Sequence, residues 1–125
     1  MTHLCDTGDD ITIPLGDKWN FDQHVPTEFE SHIQKSVPFF KQCHDLVLDF
    51  SNYFITHDTH VIELGCATGH LAYQLACRYS PQKALITGFD LSEKMVTYSK
   101  NNYSHPHLKF IKSDITAIDF DPASL

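Results

Sequence analysis

Apolar residues recur along this chain in two rhythms, and the alternation between them lays out most of its elements. Phe39, Cys43, Leu46, Phe50 and Phe54 follow one another at steps of four, three, four and four, one face of an amphipathic helix. Such a face is expected to pack on something large. Val61 to Leu64 is a short, mainly apolar run, the pattern of a strand covered on both faces. Leu71, Leu75 and Tyr79, with Ala72 and Ala76 beside them, restore the helical spacing up to the breaker Pro81. Ala84 to Asp90 predicts a second strand. Ser92 is placed to cap a helix carrying Met95, Val96, Ser99 and Tyr103, and Leu108 to Ser113 predicts a third strand after the His105-Pro106-His107 turn.

Upstream the pattern is weaker. Residues 1–18 show little periodicity and contain Gly8, Pro14 and Gly16, so a mobile or surface-draped arm is expected. Trp19 to Pro26 is rich in large aromatics for a loop. Thr27-Glu28-Phe29-Glu30 has the form of a capping box opening a helix to about Lys35, and Ser36-Val37-Pro38 marks a break with proline in the first turn of a second helix. The resulting order is helix, helix, strand, helix, strand, helix, strand. Its last five elements are βαβαβ, an α/β arrangement of parallel strands with right-handed crossovers in the spatial order 3-2-1. This is half of a doubly wound sheet. The sequence stops before the strand that would flank the first one, so the chain reads as truncated, with an apolar edge expected to favour self-association.

Composition narrows the function classes. Sixteen acidic side chains against nine basic ones give a formal charge of −7, so these residues carry no broad nucleic-acid footprint. Cys5, Cys43, Cys66 and Cys77 lack any CxxC spacing and are expected to be free thiols. With an acidic start and no apolar run of transmembrane length, a cytoplasmic protein is expected. His57 with His60 and His105 with His107 have chelating spacing, yet no cysteine or carboxylate completes a metal set. No GxSxG elbow is present.

The candidate chemistry begins where the first predicted strand runs into Gly65-Cys66-Ala67-Thr68-Gly69-His70. Glycine permits conformations closed to other residues and lets a ligand approach the main chain, while the N–H groups of the following helix favour negative groups. A dinucleotide fingerprint would need glycine at Ala67 and His70, and the phosphate-loop pattern is absent. Two glycines four apart also fit a plain strand-to-helix connection. Cys66, beside the helix start, is open to a lowered thiol pKa or to simple turn filling. Asp90 follows Gly69 by twenty-one residues at the end of the second strand, where nucleotide-binding βαβ units place a ribose acceptor. Asp114 follows the third strand, so Glu63, Asp90 and Asp114 converge at the carboxyl edge of one sheet. Their negative charge suits a cationic ligand.

The run Glu63-Leu64-Gly65-Cys66-Ala67-Thr68-Gly69 resembles the first motif of class I S-adenosylmethionine-dependent methyltransferases, with Ala67 at its central glycine. Gly88-Phe89-Asp90-Leu91-Ser92-Glu93-Lys94-Met95 resembles a second motif of that family, and Ser113-Asp114-Ile115 a third. The resemblance implies S-adenosyl-L-methionine as cofactor. It places the methionine end at Phe40, Glu63, Gly65, Cys66, Ala67 and Gly69, the ribose on Asp90, and the adenine among Leu91, Met95, Asp114 and Ile115. Trp19, Phe21, Asp22 and Val25 with Phe29, then His32 to Phe40, are similar to the lid of a branch that includes carboxy-S-adenosylmethionine synthase, which acts in tRNA modification. That branch has tyrosine where this chain has Phe40, and asparagine where it has Leu91. The implied division is an arm over 1–18, a helical lid over 19–56 and a cofactor-binding part over 57–125. Methyl transfer to an unidentified acceptor is the implied activity, and catalytic residues are not readable. A carboxy-S-adenosylmethionine synthase-like enzyme and a non-catalytic S-adenosylmethionine-binding or assembly module are the alternatives.

Overall fold

The crossovers of this chain carry it stepwise across one parallel sheet, and the helices that make them pack with its central strand into the core. The computed structural model describes residues 4–6, 12–14 and 26–120. Leu4–Asp6 (β1) and Thr12–Pro14 (β2) pair antiparallel, so a short ladder forms within the stretch expected to be an arm. The aromatic run Trp19 to Val25 lies outside the described residues.

Helix α1 spans Pro26–Ser36, its proline suited to the first turn. The expected capping box does not form, because the helix starts before Thr27 and Glu30 turns elsewhere. Helix α2 spans Phe40–Ser51, with Pro38 in the preceding turn and Phe39 at the N-cap in a left-handed conformation, φ 60°. Ser51 Oγ lies 2.6 Å from Tyr79 Oη, fixing the end of α2 to the end of the next helix.

The three-stranded sheet follows as His60–Leu64 (β3), Leu85–Asp90 (β4) and Leu108–Lys112 (β5), all parallel in the order β3-β4-β5. The 3-2-1 order expected from the sequence is thus present. Register sets Leu64 beside Phe89 and Asp90 beside Lys112, so the three carboxyl ends emerge together. Helices α3 (His70–Arg78) and α4 (Glu93–Asn102) link the strands. Ser92 Oγ accepts from Met95 N at 3.3 Å, the cap expected for α4. Ala72, Leu75 and Ala76 of α3 and Val96 of α4 pack with Ile86 and Phe110 into the core.

Two expectations fail here. Every residue of β3 is half-buried or exposed, because α3 and α4 serve the sheet's interior and β3 lies at its edge. The apolar stripe of α2 is outward-facing, with Leu46 and Phe50 each 55% and Phe54 74% exposed. With Val61 it lines an apolar groove of about 540 Å³ along the β3 edge. Helical periodicity shows which side of a helix is apolar and says nothing of what covers it. Among the described residues no helix is long and apolar enough to cross a membrane.

Candidate functional site

The turn after β3 is held by its neighbour strand: the N–H groups of Gly65 and Cys66 both donate to the Phe89 carbonyl, at 2.8 and 2.9 Å. Gly65, Ala67 and Gly69 all take positive φ, at 74°, 47° and 82°. The two glycines are needed for different reasons. A Cβ at Gly65 would meet nothing within 4 Å, so its backbone faces open space. A Cβ at Gly69 would sit 2.6 Å from the Phe110 ring and 2.8 Å from Ser99 Oγ, so this glycine lets α3 approach the sheet. Ala67 carries a methyl in the left-handed region. Asp90 Oδ2 accepts from its N–H at 2.8 Å, and Ser99 Oγ donates to its carbonyl at 3.1 Å.

Asp90 therefore ties the turn to the start of α4, since its Oδ1 accepts from Ser92 N at 2.9 Å. Cys66 is buried beneath the turn, and a Cβ on Gly88 would lie 2.9 Å from its Sγ. Burial first, then the charges of Glu63 and Asp90, push the Cys66 thiol up to about 12. Of the two openings the sequence leaves at Cys66, the geometry favours turn filling.

Two chambers flank the turn. One, of about 280 Å³, is lined by Phe40, Glu63 and Leu71 and by residues the sequence did not single out, among them Glu30, Thr68 and His70. The other, of about 450 Å³, is lined by Leu64, Asp90, Leu91, Met95, Asp114 and Ile115. Phe29, Gly65 and Ala67 belong to both, so the chambers meet over the turn beneath one buried phenylalanine of α1. Gly69 lines neither.

Polar chemistry divides along the same line. Glu63 Oε2 is buried without a hydrogen-bond partner. Burial raises the Glu63 carboxyl to about 7, the Ala72 N–H opposes the rise, and the Asp90 charge adds to it. Thr68 Oγ1 donates to Glu30 Oε1 at 2.8 Å, joining α1 to the turn across thirty-eight residues of sequence. The His44 imidazole, its ring centroid 4.4 Å from that of Phe40, is held below its usual value by burial and by His70, against Asp45. In the second chamber Leu91 is 67% exposed. Asp114 Oδ1 accepts from Thr116 N and Oγ1 at 2.8 and 2.7 Å, which holds its carboxyl below the ordinary range.

Glu30 sits where a capping partner belongs, so it does not announce a site in one dimension, whereas Phe29 belongs to the stretch that resembles a lid. Of the histidine pairs, His60 Nε2 lies 3.0 Å from Thr87 Oγ1, and His105 Nδ1 accepts from His107 N at 3.2 Å. Among the described residues no three His, Cys, Asp or Glu side chains gather as a metal set.

A family profile described as a methyltransferase domain matches residues 55–124. The chain is 30% identical over 108 residues to carboxy-S-adenosyl-L-methionine synthase of Staphylococcus epidermidis, covering 86% of this chain and 47% of that protein. It is 31% identical over 105 residues to malonyl-[acyl-carrier protein] O-methyltransferase of Priestia megaterium, covering 83% and 36%. The chain thus spans less than half the length of either relative. One chain of a complex between the Haloferax volcanii Trm112 methyltransferase activator and a candidate methyltransferase shares the fold. It superposes at a TM-score of 0.60 and 17% identity, covering 85% of this chain and 44% of that one.

Proposed function

Since this chain belongs to the methyltransferase-domain family, we propose that it binds S-adenosyl-L-methionine across its two chambers as the cofactor-binding half of a methyl-transfer enzyme. The observation that carries the reading is the junction at Gly65 and Ala67. There an open stretch of backbone joins a chamber holding an unpartnered buried carboxyl oxygen, on Glu63, to one edged by Asp90 and Asp114. A ligand with a cationic amino-acid end and an adenosine end fits that division. When bound, this cofactor supplies a methyl group on a cationic sulfur, open to attack by an acceptor lone pair.

The chain's own residues bind, orient and exclude water. Glu63 offers its free oxygen to an ammonium, and the N-terminal N–H groups of α3 favour a carboxylate. Gly65 lets the ligand lie against the main chain. Asp90 retains acceptor capacity for ribose hydroxyls while its two backbone bonds hold it in place. Leu91 and Ile115 give apolar cover for a purine, and Asp114 an acceptor at its rim. Phe29 closes the junction, and Phe40 with His44 closes the methionine end. Positioning of this kind accounts for a large part of a transfer barrier without any nucleophile from the protein.

Two other readings remain in view. The S. epidermidis relative favours a carboxy-S-adenosylmethionine synthase-like enzyme. A non-catalytic binding module would need nothing beyond these chambers. The free thiols of Cys43, Cys66 and Cys77 favour a reducing, cytoplasmic compartment. Calorimetric titration with S-adenosylhomocysteine tests the shared premise. Saturable binding by the wild type, weakened at least tenfold in Ile115→Glu, is expected on the cost of facing a purine with a charge. No binding, or binding indifferent to that substitution, refutes it.

A further inference from the structure

We infer that Glu30 is a specificity-determining residue that makes the methionine-end chamber select a cationic sulfonium and reject one bearing an added carboxylate. The inference rests on the cofactor reading above and goes beyond it, because it separates the two activities that the relatives' names leave open.

The lining of the two chambers is acidic. Among the described residues four carboxyl side chains face them, Glu30 and Glu63 in the smaller and Asp90 and Asp114 in the larger, and no lysine or arginine does. Three of these stand at strand ends, where the topology brings them in any sheet of this order. Glu30 is different. It comes from α1, outside the βαβαβ unit, and is aimed by one hydrogen bond: buried Thr68 donates to its Oε1 at 2.8 Å. Thr68 belongs to the same turn that exposes the Gly65 backbone, so the second carboxylate is fixed to the part of the site that would touch a ligand.

Two carboxyl groups in one chamber lower the energy of a net cation and raise that of an added anion, by Coulomb interaction that strengthens as water is excluded. His44 does not offset them, since burial and His70 keep its imidazole toward the neutral form. His70, the other imidazole lining the chamber, has Nδ1 3.3 Å from the Tyr103 hydroxyl. A carboxymethyl sulfonium therefore meets like charge and no guanidinium or ammonium among the described residues.

A purely structural role for Glu30, as a strut between α1 and the turn, is separable by Glu30→Gln. The amide keeps an oxygen for Thr68 and loses only the charge. The experiment titrates the whole chain, wild type and Glu30→Gln, with S-adenosylmethionine, S-adenosylhomocysteine and carboxy-S-adenosylmethionine, with circular dichroism confirming the fold. The wild type is expected to prefer S-adenosylmethionine over the carboxylated compound by about tenfold or more, and Glu30→Gln to lose most of that preference, on the scale of one desolvated charge interaction. Thr68→Val, which frees Glu30 without neutralising it, should lose part of it. Equal wild-type affinity for the two sulfonium compounds overturns the inference while leaving the cofactor reading intact. So does a preference unchanged in Glu30→Gln. Absence of binding by all three ligands overturns both.

Discussion

Replacing Glu63 with glutamine should change the pH dependence of stability in a direction opposite to that of most carboxylates. Its oxygen is buried without a partner, and burial lifts the carboxyl from 4.5 to about 7. Because the folded value lies above the unfolded one, folding favours the protonated acid. The contribution is fully present below about pH 4.5, declines as pH rises, and is gone above about pH 7. At full value that rise corresponds to about 3 kcal/mol, and partial access to solvent reduces it to about 1–2 kcal/mol. Glu63→Gln carries no ionisable group there, so it should match the wild type near pH 4.5 and exceed it by about 1–2 kcal/mol at pH 8. Urea denaturation of both proteins at several pH values isolates the difference, since every other titrating group is shared. A difference that stays constant with pH refutes the reasoning.

The same carboxyl supplies a ligand-linked signal. A cation placed against Glu63 restores its ionised form, so binding of S-adenosylmethionine near pH 6 should release a fraction of a proton. Calorimetry in buffers of different ionisation enthalpy reads that release directly, and its persistence in Glu63→Gln would assign it elsewhere.

Three further perturbations follow from the turn and the exposed face. Gly69→Ala adds a methyl 2.6 Å from Phe110 in a left-handed backbone, and should cost about 2–4 kcal/mol in chemical denaturation, with a near-neutral result refuting the packing role. Ala67→Gly relieves a non-glycine residue at φ 47° and should stabilise by about 0.5–1 kcal/mol, whereas destabilisation would mean that the methyl packs usefully. Self-association along the β3 edge and the α2 stripe should appear in light scattering as a concentration-dependent rise in mass that Phe50→Asp abolishes; a wild type that stays monomeric at high concentration sinks that idea.

The parallel sheet is legible in the sequence because each of its elements carries a local signal that agrees with the next. The apolar run at Val61, the breaker at Pro81, the cap at Ser92 and the turn before Leu108 all have short-range causes. The strand-end acids are legible for the same reason, since register alone brings Asp90 beside Lys112 and the turn beside Phe89. What escapes is everything that depends on packing between distant segments. Glu30 has the spacing of a cap and the partner of a site residue, and only the fold brings Thr68 within 2.8 Å of it. The α2 stripe has the spacing of a core and the exposure of a surface, because periodicity fixes a face without fixing its cover. Gly69 and Gly65 look alike in the motif, yet one is needed for a neighbour's ring and the other for open space.

That last contrast bears on how the site would respond to its ligand. Asp90 and Asp114 have acceptor atoms engaged by backbone and hydroxyl donors, so their charge is compensated before anything binds. Glu63 is compensated only in part, by the Ala72 N–H, with Oε2 left without a partner, and its raised carboxyl records the cost. The adenosine side is therefore preorganised, while the methionine side holds an electrostatic penalty that only a cation removes. A ligand lacking the positive charge can use the first side and gains nothing at the second. At equal concentration above pH 7, where the Glu63 penalty is complete, S-adenosylhomocysteine, which keeps the ammonium, should accordingly raise the thermal midpoint more than adenosine, which lacks it, and the gap should narrow below pH 5, where the penalty has vanished. A gap independent of pH would mean that the Glu63 titration plays no part in holding the ammonium.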